Sequence, residues 1–361
     1  MQVSLHTWCI IKMNYYDGTK LLSLKDINGN TPEIYICTSN RSAGKTTYFS
    51  RLCVNRFIKK GEKFMLVYRF KYELDTCAEK FFKDIQSLFF ENYEMTSIKK
   101  EKGVYHELFI SEKGGKAVSC GYAIALNCAD TIKKMSHLFS DTMRMMFDEF
   151  QSETNNYCPR EVQKLISIHT SVARGQGKQV RYVPIYMVSN PVSIINPYYV
   201  AMKISHRLNT ETKFLKGNGF VLEQGYLESA SKAQKSSGFN QAFEDNSYMR
   251  YNTDAVYLND NFAFVEQPQG KGRYILTIKY EGKLYSIVEY PEQGIVFCNN
   301  SADQTFPYKI AVTNNDHQVN YLILRKNDLF LDTLRYYFEK GCFRFKNLEC
   351  KEAVMVMLGS K

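Results

Sequence analysis

Two short clusters in this sequence carry residue types suited to phosphate chemistry. One is Gly44-Lys45-Thr46, closing the stretch "TSNRSAGKTT"; the other is Asp148-Glu149, in "MRMMFDEF", about 100 residues further on. A glycine lets backbone approach an anion closely, a lysine neutralises the β and γ oxygens, and a threonine hydroxyl can ligate Mg2+. Asp148 would hold the same metal through water, and Glu149 would orient or deprotonate an attacking water. Neither cluster decides the matter alone. A bare Gly-Lys-Ser/Thr tripeptide turns up by chance in roughly one chain in five of this length. An acidic pair also ends many solvated strands.

The flanks supply the context. Upstream, "EIYIC" is a short β-branched and aromatic run that predicts a buried strand. Downstream, Phe49, Leu52, Cys53 and Phe57 fall at helical spacing, and Lys59, Lys60 and Gly61 supply a cationic end and a stop. A helix starting near Gly44 would present free N–H groups and about half a positive charge to a phosphate. Residues Ser39, Asn40, Arg41, Ser42, Ala43, Gly44, Lys45, Thr46 and Thr47 therefore read as one nucleotide-binding loop. Ser39 stands where such loops open on glycine, so a variant loop geometry is expected. A second Gly-Lys, in "SEKGGKAVS", has Ala117 in place of the hydroxyl and two strand-like flanks; it predicts a hairpin turn at Gly114-Gly115.

The acidic pair follows Met143, Met145, Met146 and Phe147, which places Asp148 at the carboxyl end of a central strand, where α/β sheets bind ligands. "KFMLVYRF" and "YVPIYMVSN" read as further strands of the same sheet. The second ends in Ser189-Asn190, where a γ-phosphate sensor or a plain turn would sit. Before it, "SVARGQGKQVR" sets Arg174, Lys178 and Arg181 around two glycines, either as a solvated loop or as the source of an arginine finger.

The chain of 361 residues is long enough for two domains with separate cores. Its 47 basic and 37 acidic residues give +10, which suits a polyanionic partner without naming one. No run approaches the ~20 apolar residues of a membrane span. The start, "MQVSLHTWCIIKMN", has no signal-peptide pattern. The ten cysteines form no C-x-x-C pair and sit mostly in apolar runs, as reduced thiols of a cytosolic protein would.

Together these elements resemble the DNA-packaging (encapsidation) ATPases of phi29-type small tailed bacteriophages. The likeness runs from the "RSAGKTT" loop through "VNRFIKKGEKFMLVYRFKYEL", "MMFDEF" and "NYCPREVQKLISIHTSVARGQGKQVRYVPIYMVSNPVSIINPYY". It implies an α/β P-loop ATPase of the additional-strand (ASCE) class using ATP and Mg2+. Such a protein works in the host cytoplasm as a homo-oligomeric ring, usually a pentamer. The ring sits on the portal of a prohead, in some cases through a structural RNA, and pumps double-stranded DNA inside. It further implies that Arg174 acts on a neighbouring subunit's nucleotide, with Arg69 and Lys71 as secondary basic contacts. The catalytic set is then Lys45, Glu149 and Arg174; Thr46 and Asp148 are the metal-site residues, and Asn190 joins the loop in nucleotide binding.

Three parts are expected: an ATPase domain over 1–205, a lid or linker subdomain over 206–250 and a C-terminal α+β domain over 251–361. In the last, "RYILTIKY", "LYSIVEY" and "IVFCN" read as an antiparallel meander followed by helices, which fits an RNase H-like domain. "RYILTIKY" has no carboxylate and Glu289 is isolated, so no two-metal nuclease is expected. Lys271, Arg273, Lys279 and Lys283 form either a contact edge or a solvated face. Lys133 and Lys134, in "TIKKMSHLF", offer a DNA-gripping pair in an inter-strand loop, or mere solubility. Tyr15 and Tyr16 precede the first strand, where an adenine would stack. A helicase acting outside a capsid and an ATP-binding switch with negligible turnover are the competing readings.

Overall fold

The computed structural model describes residues 15–208, 212–254, 257–258, 260, 263–323 and 328–359, so the expectation about the first fourteen residues lies outside it. The chain forms two compact units. The first takes the residues through Ala201 together with those from Leu208 to 259; the second takes 202–207 and everything from Asp260 onward.

In the first unit, nine strands make one sheet: β1 (Ile34–Thr38), β2 (Lys63–Tyr68), β3 (Tyr93–Lys100), β4 (Tyr105–Glu112), β5 (Val118–Ala125), β6 (Thr142–Asp148), β7 (Ile185–Ser189), β8 (Phe214–Gly217) and β9 (Phe220–Gln224). Their order is β3-β4-β5-β2-β6-β7-β1-β9-β8. The six strands from β5 to β9 in that order are parallel, and antiparallel pairs finish both edges. Parallel strands are covered on both faces, which is why β2 and β7 are apolar runs rather than alternating ones. The hairpin turn expected at Gly114-Gly115 joins β4 to β5.

β7 lies between β1 and β6. Thr38 pairs with Ser189 and Asp148 with Val188, so the three strands end at one level on the carboxyl edge. The helix Lys45–Lys60 packs over them; Phe49, fully buried, stacks on Tyr186 of β7 with 5.2 Å between ring centroids.

The stretch expected as a connector, 206–250, contributes strands. Phe220, Val221 and Leu222 of β9 are buried and pair with β1. Three apolar residues between polar flanks are too short a run to announce a strand, so only pairing with β1 reveals it. Three helices, Glu228–Lys235, the short Gly238–Gln241 and Ser247–Asp254, follow in the same unit. Lys133 and Lys134 close a short helix, Ala129–Lys134, where an open loop was expected.

The second unit is a five-stranded sheet of β10 (Arg273–Tyr280), β11 (Lys283–Tyr290), β12 (Ile295–Asn299), β13 (Lys309–Ala311) and β14 (Phe343–Phe345). The meander β10-β11-β12 is antiparallel, as expected, with β13 and β14 added parallel at its two edges. Helices Leu329–Glu339 and Leu348–Gly359 contribute Leu331, Leu334 and Val354 to its core. The nine described cysteines are free, and all but Cys128 and Cys342 are buried. Among the described residues no helix is long and apolar enough to cross a membrane.

Because Phe49 joins the loop helix to β7 with no exposed surface, Phe49→Ala is expected to cost about 3–5 kcal/mol. The 59% exposed Ile166 provides a control; Ile166→Ala is expected to stay within about 0.5 kcal/mol. Urea midpoints of the two variants check both values.

Candidate nucleotide site

The loop leaves β1 at Thr38 and enters the helix at Lys45, the strand–loop–helix order that the motif requires. Gly44 caps the helix at φ 88°, and a Cβ there would sit 2.9 Å from the ring of Tyr15. Only glycine suits both conditions. Ser39 is buried outside the left-handed region, and the loop's other left-handed residue is Ser42, at φ 62°. The serine in the opening position therefore causes no backbone strain there.

Lys45 is buried, with its Nζ donating to Asn190 Oδ1 at 2.7 Å and to the Ser39 carbonyl at 3.3 Å. Burial pushes its pKa down, while the Asp148 and Glu149 carboxylates pull the other way. Thr46 Oγ1 donates to Asp148 Oδ1 at 3.1 Å. Burial raises the Asp148 carboxyl against the stabilising effect of Lys45 and the Thr46 hydroxyl. Glu149 sits just beyond β6 at φ 54°, reaching solvent. Surrounding protein and then the neighbouring Asp148 push its carboxyl up to about 7. The structure thus gathers Lys45, Thr46, Asp148, Glu149 and Asn190 at one place. A hydroxyl beside a carboxylate suits Mg2+, which takes few protein ligands and keeps several waters.

Residues far along the chain secure the loop, and no local signal in the sequence marks them. Asn40 makes two hydrogen bonds with the Leu227 backbone, of 2.9 and 3.1 Å. Arg41 N–H donates to the Asn252 carbonyl, and its guanidinium pairs with Glu153 at 2.8 Å. Glu153 also accepts from the hydroxyls of Tyr248 and Tyr251. Gln234 reaches Ser42 Oγ at 2.8 Å.

The basic candidates separate by burial. Arg181 is buried and donates to the carbonyls of Thr142 and Val172, pinning the base of its loop. Arg174 is exposed, with one 3.4 Å contact to Ser171 Oγ, and stands outside the cluster around Lys45. Arg69 differs from its expected role as a subunit-boundary contact: it is buried and ion-paired with Glu161. Lys71 is exposed and donates to the Lys102 carbonyl. Lys133 meets Asp130 at 3.5 Å. Tyr16 donates its hydroxyl to Glu223 and packs edge-on against Tyr48, leaving Tyr15, 40% exposed, as the better adenine candidate.

The raised Glu149 carboxyl fixes a sign for stability. The folded chain keeps a proton that the unfolded chain loses near pH 4.5, so this site's contribution falls as pH rises from about 4.5 to about 7. Glu149→Gln is expected to raise Tm relative to the native chain at pH 8, with the gain vanishing at pH 4. Melting native and variant side by side also cancels Glu352, another carboxyl pushed up to about 7.

Comparisons with known proteins agree with this architecture. The family described as Podovirus DNA encapsidation protein (Gp16) matches residues 10–359. The DNA packaging protein of Bacillus phage phi29 is 25% identical over 344 residues, covering 93% of this chain and 94% of that one. That of Bacillus phage B103 is 26% identical over 313 residues, covering 85% and 90%. A chain of the bacteriophage Phi-29 viral genome packaging motor assembly shares the fold with TM-score 0.68 at 23% identity, covering 95% of this chain and 99% of that one. The Phi-28 gp11 DNA packaging motor gives TM-score 0.57 at 16% identity, covering 95% and 97%. With a family match across nearly its whole length, the chain belongs to the podovirus DNA encapsidation protein (Gp16) family.

Proposed function

We propose that this chain is an ATP-driven double-stranded DNA translocase that works as a homo-oligomeric ring, a pentamer as the family resemblance implies, on the portal of a phage prohead in the host cytoplasm. One observation carries the reading: Lys45, Thr46, Asp148, Glu149 and Asn190 converge at the carboxyl edge of β1, β7 and β6, with β7 as the additional strand. Free N–H groups at the start of the 45–60 helix and the Lys45 ammonium receive the β and γ phosphates. The Tyr15 ring lies over Gly44, within reach of a base. Thr46 and Asp148 would hold Mg2+, whose positive charge would offset that of the phosphates. Glu149 as carboxylate orients the water that attacks the γ-phosphorus, and ADP leaves in line. Asn190, which accepts from Lys45, would exchange that bond for one to the γ-phosphate.

Arg174 would complete the site in trans. Its exposure, on a loop pinned by Arg181, supports that role. The net charge of +10 suits DNA, with Lys133 and Lys134 as candidate phosphate contacts and a structural RNA as a further partner. For the second unit we propose an RNase H-like fold without nuclease chemistry. Glu289 is paired with Arg273, Glu349 with Lys283, and Asp316 caps the Glu281-Gly282 turn.

ATP turnover with and without duplex DNA tests the reading. Native protein is expected to hydrolyse ATP faster with duplex and to leave the strands paired. Glu149→Gln should bind ATP with little turnover. Arg174→Ala should lose about 10³-fold or more, and small amounts of it should poison native protein through mixed rings. Normal turnover by Arg174→Ala under assembly conditions would rule out the trans arginine. ATP binding without turnover under any assembly condition would leave a nucleotide switch, and strand separation would leave a helicase.

A further inference from the structure

Arg69, at the end of β2, spreads its guanidinium over three acceptors. Nε meets both Glu161 carboxylate oxygens, at 2.9 and 3.1 Å. Nη2 donates to the Phe150 carbonyl at 2.8 Å, and Nη1 and Nη2 both reach the Glu149 carbonyl at 3.3 Å. The rings of Phe147 and Tyr157 lie 5.6 and 5.0 Å from the guanidinium carbon. Glu161 is secured in turn by the Tyr198 hydroxyl at 2.7 Å and the Cys158 N–H at 2.8 Å. Both members of the pair are over nine-tenths buried.

This group bonds the backbone of the residue whose carboxylate matters most. Glu149 adopts φ 54°, a conformation that L side chains rarely take and that surrounding structure must enforce. Its peptide is held on one side by its own N–H, which donates to Asp148 Oδ1 at 3.1 Å, and on the other by Arg69 at its carbonyl. We infer that Arg69, oriented by Glu161, is a positioning residue that sets the aim of the Glu149 carboxylate; this rests on the proposed role of Glu149 in hydrolysis. The guanidinium fork is what allows one side chain to satisfy a carboxylate and two carbonyls together. A lysine ammonium keeps the charge but lacks the planar fork. Glu161 opens the helix Glu161–Val172, and Arg174 follows two residues after its end, so the clamp also fixes the near end of that helix to the Glu149 peptide.

The test compares Glu149→Gln, Arg69→Lys and the double variant Arg69→Met with Glu161→Met, in the full chain under assembly conditions with duplex DNA. Replacing both members of a buried ion pair by apolar residues is often tolerated, so the double variant separates stability from aim. Arg69→Lys is expected to lower kcat by about 10- to 100-fold, with KM and the affinity for a fluorescent ATP analogue within threefold of native. The double variant should melt within a few degrees of native while its kcat stays low. If it does not fold, the kcat-against-KM split of Arg69→Lys decides alone. Native kcat in Arg69→Lys or in a folded double variant, with Glu149→Gln inactive, overturns the positioning role and spares the reading of Glu149. Native turnover in Glu149→Gln overturns that reading, and the inference with it.

Discussion

The candidate site depends first on register. β1, β7 and β6 are hydrogen-bonded so that Thr38 faces Ser189 and Asp148 faces Val188. A parallel strand contributes chemistry only at its carboxyl end, where the chain turns out of the sheet and polar groups become usable. Sliding one of these strands by a residue would put its buried side chains on the opposite face and displace the loop, the acid pair or Asn190 by about 3.3 Å. The apolar runs "YIC", "MMF" and "IYMV" oppose that slip, because each needs cover on both faces.

The second constraint is the burial of a charge. Lys45 is 6% exposed, and an ammonium so far from water must be given partners by the fold. Asn190 and the Ser39 carbonyl accept from it directly, while Asp148 and Glu149 stabilise its charge from nearby. Burial in that crowded place raises both carboxyls, and the Asp148 charge adds to the push on Glu149, which reaches about 7. The same crowding makes the ionised Glu149 carboxylate a burden on the fold near neutral pH and suits the role proposed for it. Arg69 shows a related economy: its charge is matched by Glu161 while its remaining donors serve backbone carbonyls.

How much of this was legible depended on whether the signal was local. The loop, its strand and helix, the acid pair and the C-terminal meander are each written in one contiguous stretch, so composition and spacing reveal them. β8 and β9 are not, because four- and five-residue strands acquire their identity only by pairing with β1 and with each other. Arg174 and Arg181 look alike in "VARGQGKQVR"; burial alone makes one a structural pin and leaves the other exposed. Glu153 reads as one more carboxylate after the acid pair, yet Tyr248 and Tyr251 meet it from nearly 100 residues away. Ser39 reads as the mark of a variant loop, but where the loop turns left-handed, at Ser42 and Gly44, shows only in the fold.

The turn that carries Arg174 is closed by its own backbone hydrogen bonds. Gly175, Gln176 and Gly177 are left-handed in succession, the N–H groups of Gly175 and Lys178 donate to each other's carbonyls, and the Arg181 N–H closes onto the Ala173 carbonyl. Ordering a free loop costs about 1–2 kcal/mol of backbone entropy for each residue fixed. Here folding has already met that cost, so a contact made by Arg174 sacrifices only the rotamer freedom of one side chain, about 0.5–1.5 kcal/mol. A guanidinium presented in this way can make and break its contact repeatedly without melting and rebuilding the backbone that holds it.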